Sequence, residues 1–401
     1  MFVAALVTAL MMAAPVGDAA PKKRPAAEAG AGADAKGATV VKLSGEFSGY
    51  GDTDAVYVAS PTVSASVGDE VAGWSIGGRY LVDAVTAASV DVVSSASNKW
   101  SEIRHVGSGS ASAKSGSYGF SISGGVSREP DYLSIGGGGS VSVELFDKNV
   151  TPFLGGSYTH DVSGRTGTPR SFWGTMRKWG GQTGATFVVG KSTIASFALD
   201  AIYERGYLAK PYRFVPLFSP GVSVAAGASV DEVNRLRLDQ RPADALPDAR
   251  DRYAATVRFA HRFEGATLRF DQRLYRDTWG VLASTTDARY TVDVGSRVMI
   301  WPHLRFHGQQ AVAFWERAYT ANPAPDGTLG VPRYRTGDRE LGPLYTATMG
   351  LGLRWRLSAS AHAPWVLFVQ GDGMLTKYLD ALYITERRGL FFATGLEVEI
   401  D

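Results

Sequence analysis

Tyr253-Ala-Ala-Thr-Val-Arg-Phe-Ala-His-Arg-Phe263 puts Tyr253, Ala255, Val257, Phe259 and Phe263 on one side of an extended chain and Thr256, Arg258 and Arg262 on the other. Successive side chains of a strand point to opposite faces, so this segment has one apolar face and one charged face; a helix would mix the same residues around its circumference. After the two-residue turn Glu264-Gly265 the alternation resumes, with Ala266, Leu268, Phe270 and Leu274 opposite Thr267, Arg269, Asp271 and Arg273.

The pattern recurs through the second half of the chain. Tyr290, Val292, Val294 and Val298 oppose Asp293 and Arg297. Beyond a turn read at Trp301-Pro302-His303, Leu304, Phe306, Val312 and Phe314 oppose Arg305, His307 and Gln309. Tyr345, Ala347, Met349, Leu351, Leu353, Trp355 and Leu357 alternate with Thr346, Thr348, Gly350, Gly352, Arg354 and Arg356. A soluble β-sandwich also alternates, but its strands average about 5–6 residues, whereas several of these segments run to 12 or more. Trp279, Trp315, Tyr319, Trp355 and Trp365 gather near segment ends, as aromatic girdles do in lipid. Only helices and closed barrels satisfy every backbone polar group inside a bilayer. The expected fold is therefore all-β: a transmembrane antiparallel up-and-down β-barrel of about 14 strands, within 12–16.

Connector lengths set an expected orientation. Short connectors at Asp147-Lys148-Asn149, Gly190-Lys191-Ser192, Glu264-Gly265 and Trp301-Pro302-His303 alternate with long ones at Ser163 to Gly180, Tyr207 to Asp251, Gly280 to Ala288 and Tyr319 to Leu341. Outer-membrane barrels have short periplasmic turns and longer external loops, which places both termini in the periplasm of a Gram-negative bacterium. Two connectors run against this rule: a short external one at Gly68-Asp69-Glu70 and a long periplasmic one from Ser94 to Gly116.

The apolar run Phe2 to Ala14 is too short to cross a bilayer and fits a signal-peptide core, so residues 1–20 read as a signal peptide. Residues 21–39, rich in Ala, Gly, Pro and Lys, read as a disordered low-complexity leader, and residues 40–401 as the barrel. The absence of cysteine excludes disulfides, thiolate metal sites and lipid attachment at an amino-terminal Cys. A net charge of +2 with 20% charged residues gives no footprint for nucleic acid.

For chemistry, the inward face is expected to carry Arg258, Arg262, Arg269, Asp271, Arg273, Asp293, Arg297, Arg305, Arg354 and Arg356. Two readings stand open: an anion-favouring lumen, or arginines paired to acidic neighbours such as Asp271 and Asp293. His303 and His307 do not make a metal pair, because four residues of strand span about 13 Å. His105, His160, His261 and His362 have no fixed partners in sequence. No nucleophile, base and orienter declare themselves. The segment Asp231 to Arg241, within the longest connector, has the composition of a short helix. That connector either folds into the lumen as a constriction or lies on the surface, and its aromatic part, Tyr207 to Phe218, suits the barrel rim.

Several segments in order resemble the bacterial family catalogued as domain of unknown function 3570: Tyr80 to Ser89, Gly206 to Arg213, Leu246 to Arg252, Arg273 to Trp279 and Tyr334 to Leu341. The resemblance implies an exported outer-membrane barrel and no particular reaction. The final strand, with Gly395 followed by Val398 and Ile400, is similar to the signal read by the outer-membrane assembly machinery. Separately, Asp83-Ala-Val-Thr-Ala-Ala-Ser89 resembles the acceptor of periplasmic flavin transferases, which would imply covalent FMN at Ser89 with Asp83 and Thr86 in the motif; a strand end made of small residues is the alternative. The functional expectation is a passive pore or conduit for small solutes or a partner, with no catalysis by the chain. A flavin-carrying electron-transfer component and a membrane-embedded hydrolase are the rivals.

Overall fold

The computed structural model describes residues 39–87, 100–323, 328–358 and 363–400. Sixteen strands, each hydrogen-bonded to the next, close into one antiparallel barrel. They are β1 (Val40–Asp52), β2 (Val56–Asp69), β3 (Trp74–Ala87), β4 (Trp100–Ser115), β5 (Tyr118–Arg128), β6 (Tyr132–Val143), β7 (Val150–Ser163) and β8 (Gly174–Gly190), followed by β9 (Thr193–Gly206), β10 (Ala249–Phe263), β11 (Ala266–Asp277), β12 (Leu282–Val294), β13 (Val298–Gln309), β14 (Leu344–Arg356), β15 (Trp365–Tyr378) and β16 (Glu386–Ile400). The ends of the chain close the hoop: β1 pairs with β16 from Val41↔Ile400 to Asp52↔Gly389.

The count exceeds the sequence expectation by two, and the extra strands are β1 and β4. Both are dense in Gly, Ser and Ala, which blunts the apolar–polar alternation that identifies a strand. Their omission also explains the two irregular connectors. With β1 in place, the turn at 70–73 falls at the same end as the other short turns; with β4 in place, most of the expected long loop from Ser94 to Gly116 is a strand, Trp100–Ser115. One end of the barrel now holds the start of β1, the end of β16 and the connectors 70–73, 116–117, 144–149, 191–192, 264–265 and 295–297, with that between β14 and β15. The other holds 53–55, 129–131, 164–173, 207–248, 278–281, 310–343 and 379–385.

The outward face is apolar and exposed in the isolated chain: Met349, Leu351, Leu390, Ile122 and Leu304 all leave more than half of their surface open. Trp355 and Trp365 are exposed at the short-turn end, as girdle residues are. Trp279 and Tyr319 are not girdle residues. Trp279 is buried against Val281, Val312 and Leu341 with Trp315 packed alongside, and Tyr319 is buried with Val215 and Leu217. Val312 likewise lies beyond the end of β13 and inside this packing. Trp301-Pro302-His303 is within β13, and the true turn is 295–297. The β12–β13 pairing is interrupted between Arg289↔His303 and Val292↔Ile300, where Pro302 supplies no N–H.

Most of the fully buried apolar side chains lie outside the barrel wall. Val215, Leu217, Phe218, Val224, Val233 and Tyr319 belong to the connectors 207–248 and 310–343, which fold on each other at the long-connector end. Leu217-Phe218 pairs in parallel with Tyr319-Thr320. A helix α1 (Val230–Leu236), capped by Ser229 accepting from the Glu232 N–H, buries Val233. It stops short of the sequence expectation because Leu238 turns its N–H to the Leu217 carbonyl at 2.8 Å. These two connectors form a cap with its own core.

Candidate functional site: the capped lumen

The register decides which residues share the inward face. On a concave wall side chains converge, so they bridge strands that are not neighbours. Arg273 reaches Asp200 over β10 at 2.9 Å, and Arg262 pairs with Asp293 over β11. Arg258 holds both carboxylate oxygens of Asp271 at 3.0 Å, and Arg269 adds a contact to the same carboxylate at 3.1 Å. Arg354 faces Glu397 at 3.7 Å, and Arg305 stands directly opposite Asp287 in the ladder. Of the two readings left open by the sequence, pairing with carboxylates is what the geometry gives for Arg258, Arg262, Arg269, Arg273 and Arg354. Arg297 departs from expectation: it lies exposed in the 295–297 turn, and its carbonyl accepts from the Arg356 N–H at 2.8 Å. Arg356 is the exposed last residue of β14.

The His303 cluster has no signature along the chain. Its Nδ1 lies 2.8 Å from Asp372 Oδ1 and its Nε2 2.9 Å from Asp287 Oδ2. Carboxylates only accept, so both ring nitrogens donate. Asp372 reaches His303 across β14 because residue 350 is glycine, where an added Cβ would sit 1.9 Å from Asp372 Oδ1. Gln370 donates to the other oxygen of Asp372 at 2.6 Å. His307 sits apart from His303, against Thr285 and Gln309.

The wall has two unlike halves. The strands β9 to β16 carry the ion pairs above. The inward positions of β5 to β7 are instead small and uncharged along most of their length, as in Ser121, Ser123 and Gly125 opposite Ser140, Gly138 and Gly136.

The cap crosses the mouth. On one side Arg165 Nε donates to the Pro211 carbonyl at 2.7 Å and the Thr166 N–H donates to Tyr212 Oη at 2.7 Å, tying the cap to the β7–β8 connector. On the other, the Gly227 N–H donates to Ala381 at 3.0 Å and Arg317 pairs with Asp380 in the β15–β16 connector. These junctions lie eight strands apart in a ring of sixteen, half the circumference. A buried segment anchors the crossing: Arg339 pairs with Asp54 of the β1–β2 turn, and Glu340 Oε1 accepts from Tyr378 at 2.6 Å and Arg387 at 2.9 Å. Within the cap, Asp338 takes Arg213 at 2.7 Å together with Lys210. Burial alone would raise the Asp338 carboxyl, but the two cations outweigh it and hold it well below the usual carboxylate range. The longest connector is thus a packed part of the cap at this end of the barrel, tied to the connectors on either side.

Ser89 lies outside the described residues. Asp83 is buried, accepting from Ser60 at 2.5 Å and from Arg104 at 2.7 Å, and Thr86 is half-buried. The addition of β1 reverses the direction of β3, which runs from the short-turn end to the cap end, so the Asp83 run heads away from the end that holds the termini.

In architecture the chain is similar to outer-membrane proteins of known structure at very low sequence identity. OccK5 (OpdH) of Pseudomonas aeruginosa aligns over 90% of this chain and 98% of its own at 7% identity and a TM-score of 0.40. OprD of the same organism aligns over 90% and 96% at 6% and 0.42. The CymD monoaromatic hydrocarbon channel aligns over 90% and 88% at 10% and 0.38. No curated protein matches the sequence. A family model does, over residues 31–365, and the chain therefore belongs to the family described as "Protein of unknown function (DUF3570)".

Proposed function

We propose that the protein is a passive pore of a Gram-negative outer membrane, with the cap narrowing its outer mouth and solutes passing beside the serine- and glycine-lined half of the wall. The observation that carries this reading is the cap itself, a folded unit anchored at points half a circumference apart above a hollow, polar-lined barrel. Short turns at the end that holds the termini support a periplasmic placement of both termini. The inward set Arg258, Arg262, Arg269, Asp271, Arg273, Asp293 and Arg354 then lines the lumen as paired charges, with Arg305 beside them, which favours weak ion selectivity over a strong anion preference. In this reading the chain performs no catalysis, needs no cofactor, and meets the assembly machinery through β16. Flavin attachment at Ser89 loses its positional support, since β3 delivers that run to the external side, away from a periplasmic transferase.

Planar-bilayer recording tests the pore. The purified barrel is expected to give a small steady conductance that rises severalfold when residues 209–245 are replaced by a short flexible linker. A barrel silent in both forms sinks the reading. An epitope inserted at Gly221 and detected on intact cells checks the orientation.

A further inference from the structure

The outward face near the cap end carries a feature that a pore does not require. In the ladder, His160 stands opposite Arg177, and Arg177 opposite Arg205, in one row across β7, β8 and β9. Two residues further from the cap, a row of Tyr158, Trp179 and Tyr203 faces the same way. Two residues of strand span about 7 Å, so the cations sit just beyond an aromatic row of the kind that marks a membrane interface. Like charges placed directly opposite each other destabilise a ladder, yet Arg177 and Arg205 do so on an exposed surface. Asp251 engages Arg205, while among the described residues Arg177 and Arg276 have no ion-pair partner; Arg276 lies over the Tyr253 ring, its guanidinium carbon 5.6 Å from the centroid.

Beside these cations is a cleft of about 650 Å³ on the barrel exterior, with a floor of Gly181, Ala201 and Ala255 between Leu154, Leu199 and Leu274. Arg276 and Tyr253 line its cap-side end. At Gly181 an added Cβ would meet nothing within 4 Å, so packing within the chain does not call for glycine there. Apolar cleft and arginines together match one kind of molecule: a lipid with an acyl chain and an anionic phosphate head group.

We propose that this face binds a phosphorylated glycolipid of the outer leaflet, with an acyl chain in the Gly181–Ala201–Ala255 cleft and its phosphate on Arg177, Arg205 and Arg276. The inference rests on the orientation proposed above, which brings the cap end to the outer leaflet.

The test uses the full-length mature barrel in nanodiscs of phosphatidylcholine, titrated with bisphosphorylated lipid A and with the same lipid after removal of both phosphates. The bisphosphorylated form is expected to bind at least tenfold more tightly, and the double variant Arg177→Gln/Arg276→Gln to lose that advantage while keeping its conductance. Ala201→Phe, which fills the cleft, is expected to weaken both forms. Equal binding of the two lipids by the unaltered protein overturns the proposal without recourse to any variant, as does undiminished binding by a conducting double variant. Displacement by millimolar inorganic phosphate would assign the arginines to a free anion and also overturn it. A silent bilayer with phosphate-dependent lipid binding would remove the pore alone, whereas an epitope at Gly221 hidden on intact cells would remove the orientation and, with it, an outer-leaflet ligand for this face.

Discussion

At the scale of single residues, the lumen turns on exchanges that alternation along the chain can only half disclose. Alternation placed Arg258, Arg262, Arg269 and Arg273 on one face, and the structure keeps them together. Their partners were partly hidden, because Arg273 meets Asp200 across 73 positions of sequence and such a pairing depends on the register of strands far apart in the chain. The His303 cluster was hidden for the same reason, since Gly350 reads as an ordinary strand glycine until β13, β14 and β15 are set side by side. Substituting Gly350→Ala is expected to drive Asp372 from His303 and cost roughly 1–3 kcal/mol, the range for a buried polar group deprived of its partner. Unfolding in urea from lipid vesicles would show it, and an unchanged midpoint would contradict the geometry. Asp338 supplies a pH test. Its folded carboxyl is held below the unfolded value of 3.8, so its stabilisation of the cap is fully present above that value and fades as pH falls through and below it. Conductance is expected to be constant from pH 5 to 7 and to rise only well below pH 3.8, as the cap loses this stabilisation and Asp338 finally takes up its proton.

Elements were legible where large apolar residues alternate with charges, as in β10 and β11. They faded where small residues break the alternation: Ser44, Gly45, Ser48, Gly49 and Gly51 in β1, and the Gly-Ser-Ala run from Gly107 to Ala113 in β4. The loss was larger than two strands, because each missed strand inverts the direction assigned to what lies between them, which is how β3 came to point the wrong way. The cap was visible only as long connectors, since its core pairs residues about 100 positions apart, such as Leu217 with Tyr319. Phe218, fully buried between α1 and the neighbouring connector, tests whether the cap is a separable unit. Phe218→Ala is expected to remove about 3–5 kcal/mol from the cap, raising conductance and exposing residues 207–248 to protease while the barrel still resists unfolding in detergent. A variant with unaltered conductance and protease resistance would mean that the cap is held chiefly by its anchors.

For the whole molecule, the two-sided lumen makes a prediction about route. The sequence has no cysteine, so a single introduced thiol is a unique label. Modification of Ser123→Cys on the smooth wall by a bulky charged thiol reagent is expected to cut conductance several times more than modification of Thr285→Cys on the charged wall. Equal block at both sites would put the path through the centre. The anchors of the cap carry a last consequence. Asp54 follows β1 and Arg387 lies on β16, the two strands that close the hoop, and the Arg339–Glu340 pair of the cap grips both. The plug over the mouth is therefore also the clasp on the seam where the ends of the chain meet: any force that lifts it is felt along the β1–β16 ladder, and a solute that wedges it aside strains the hoop at its join.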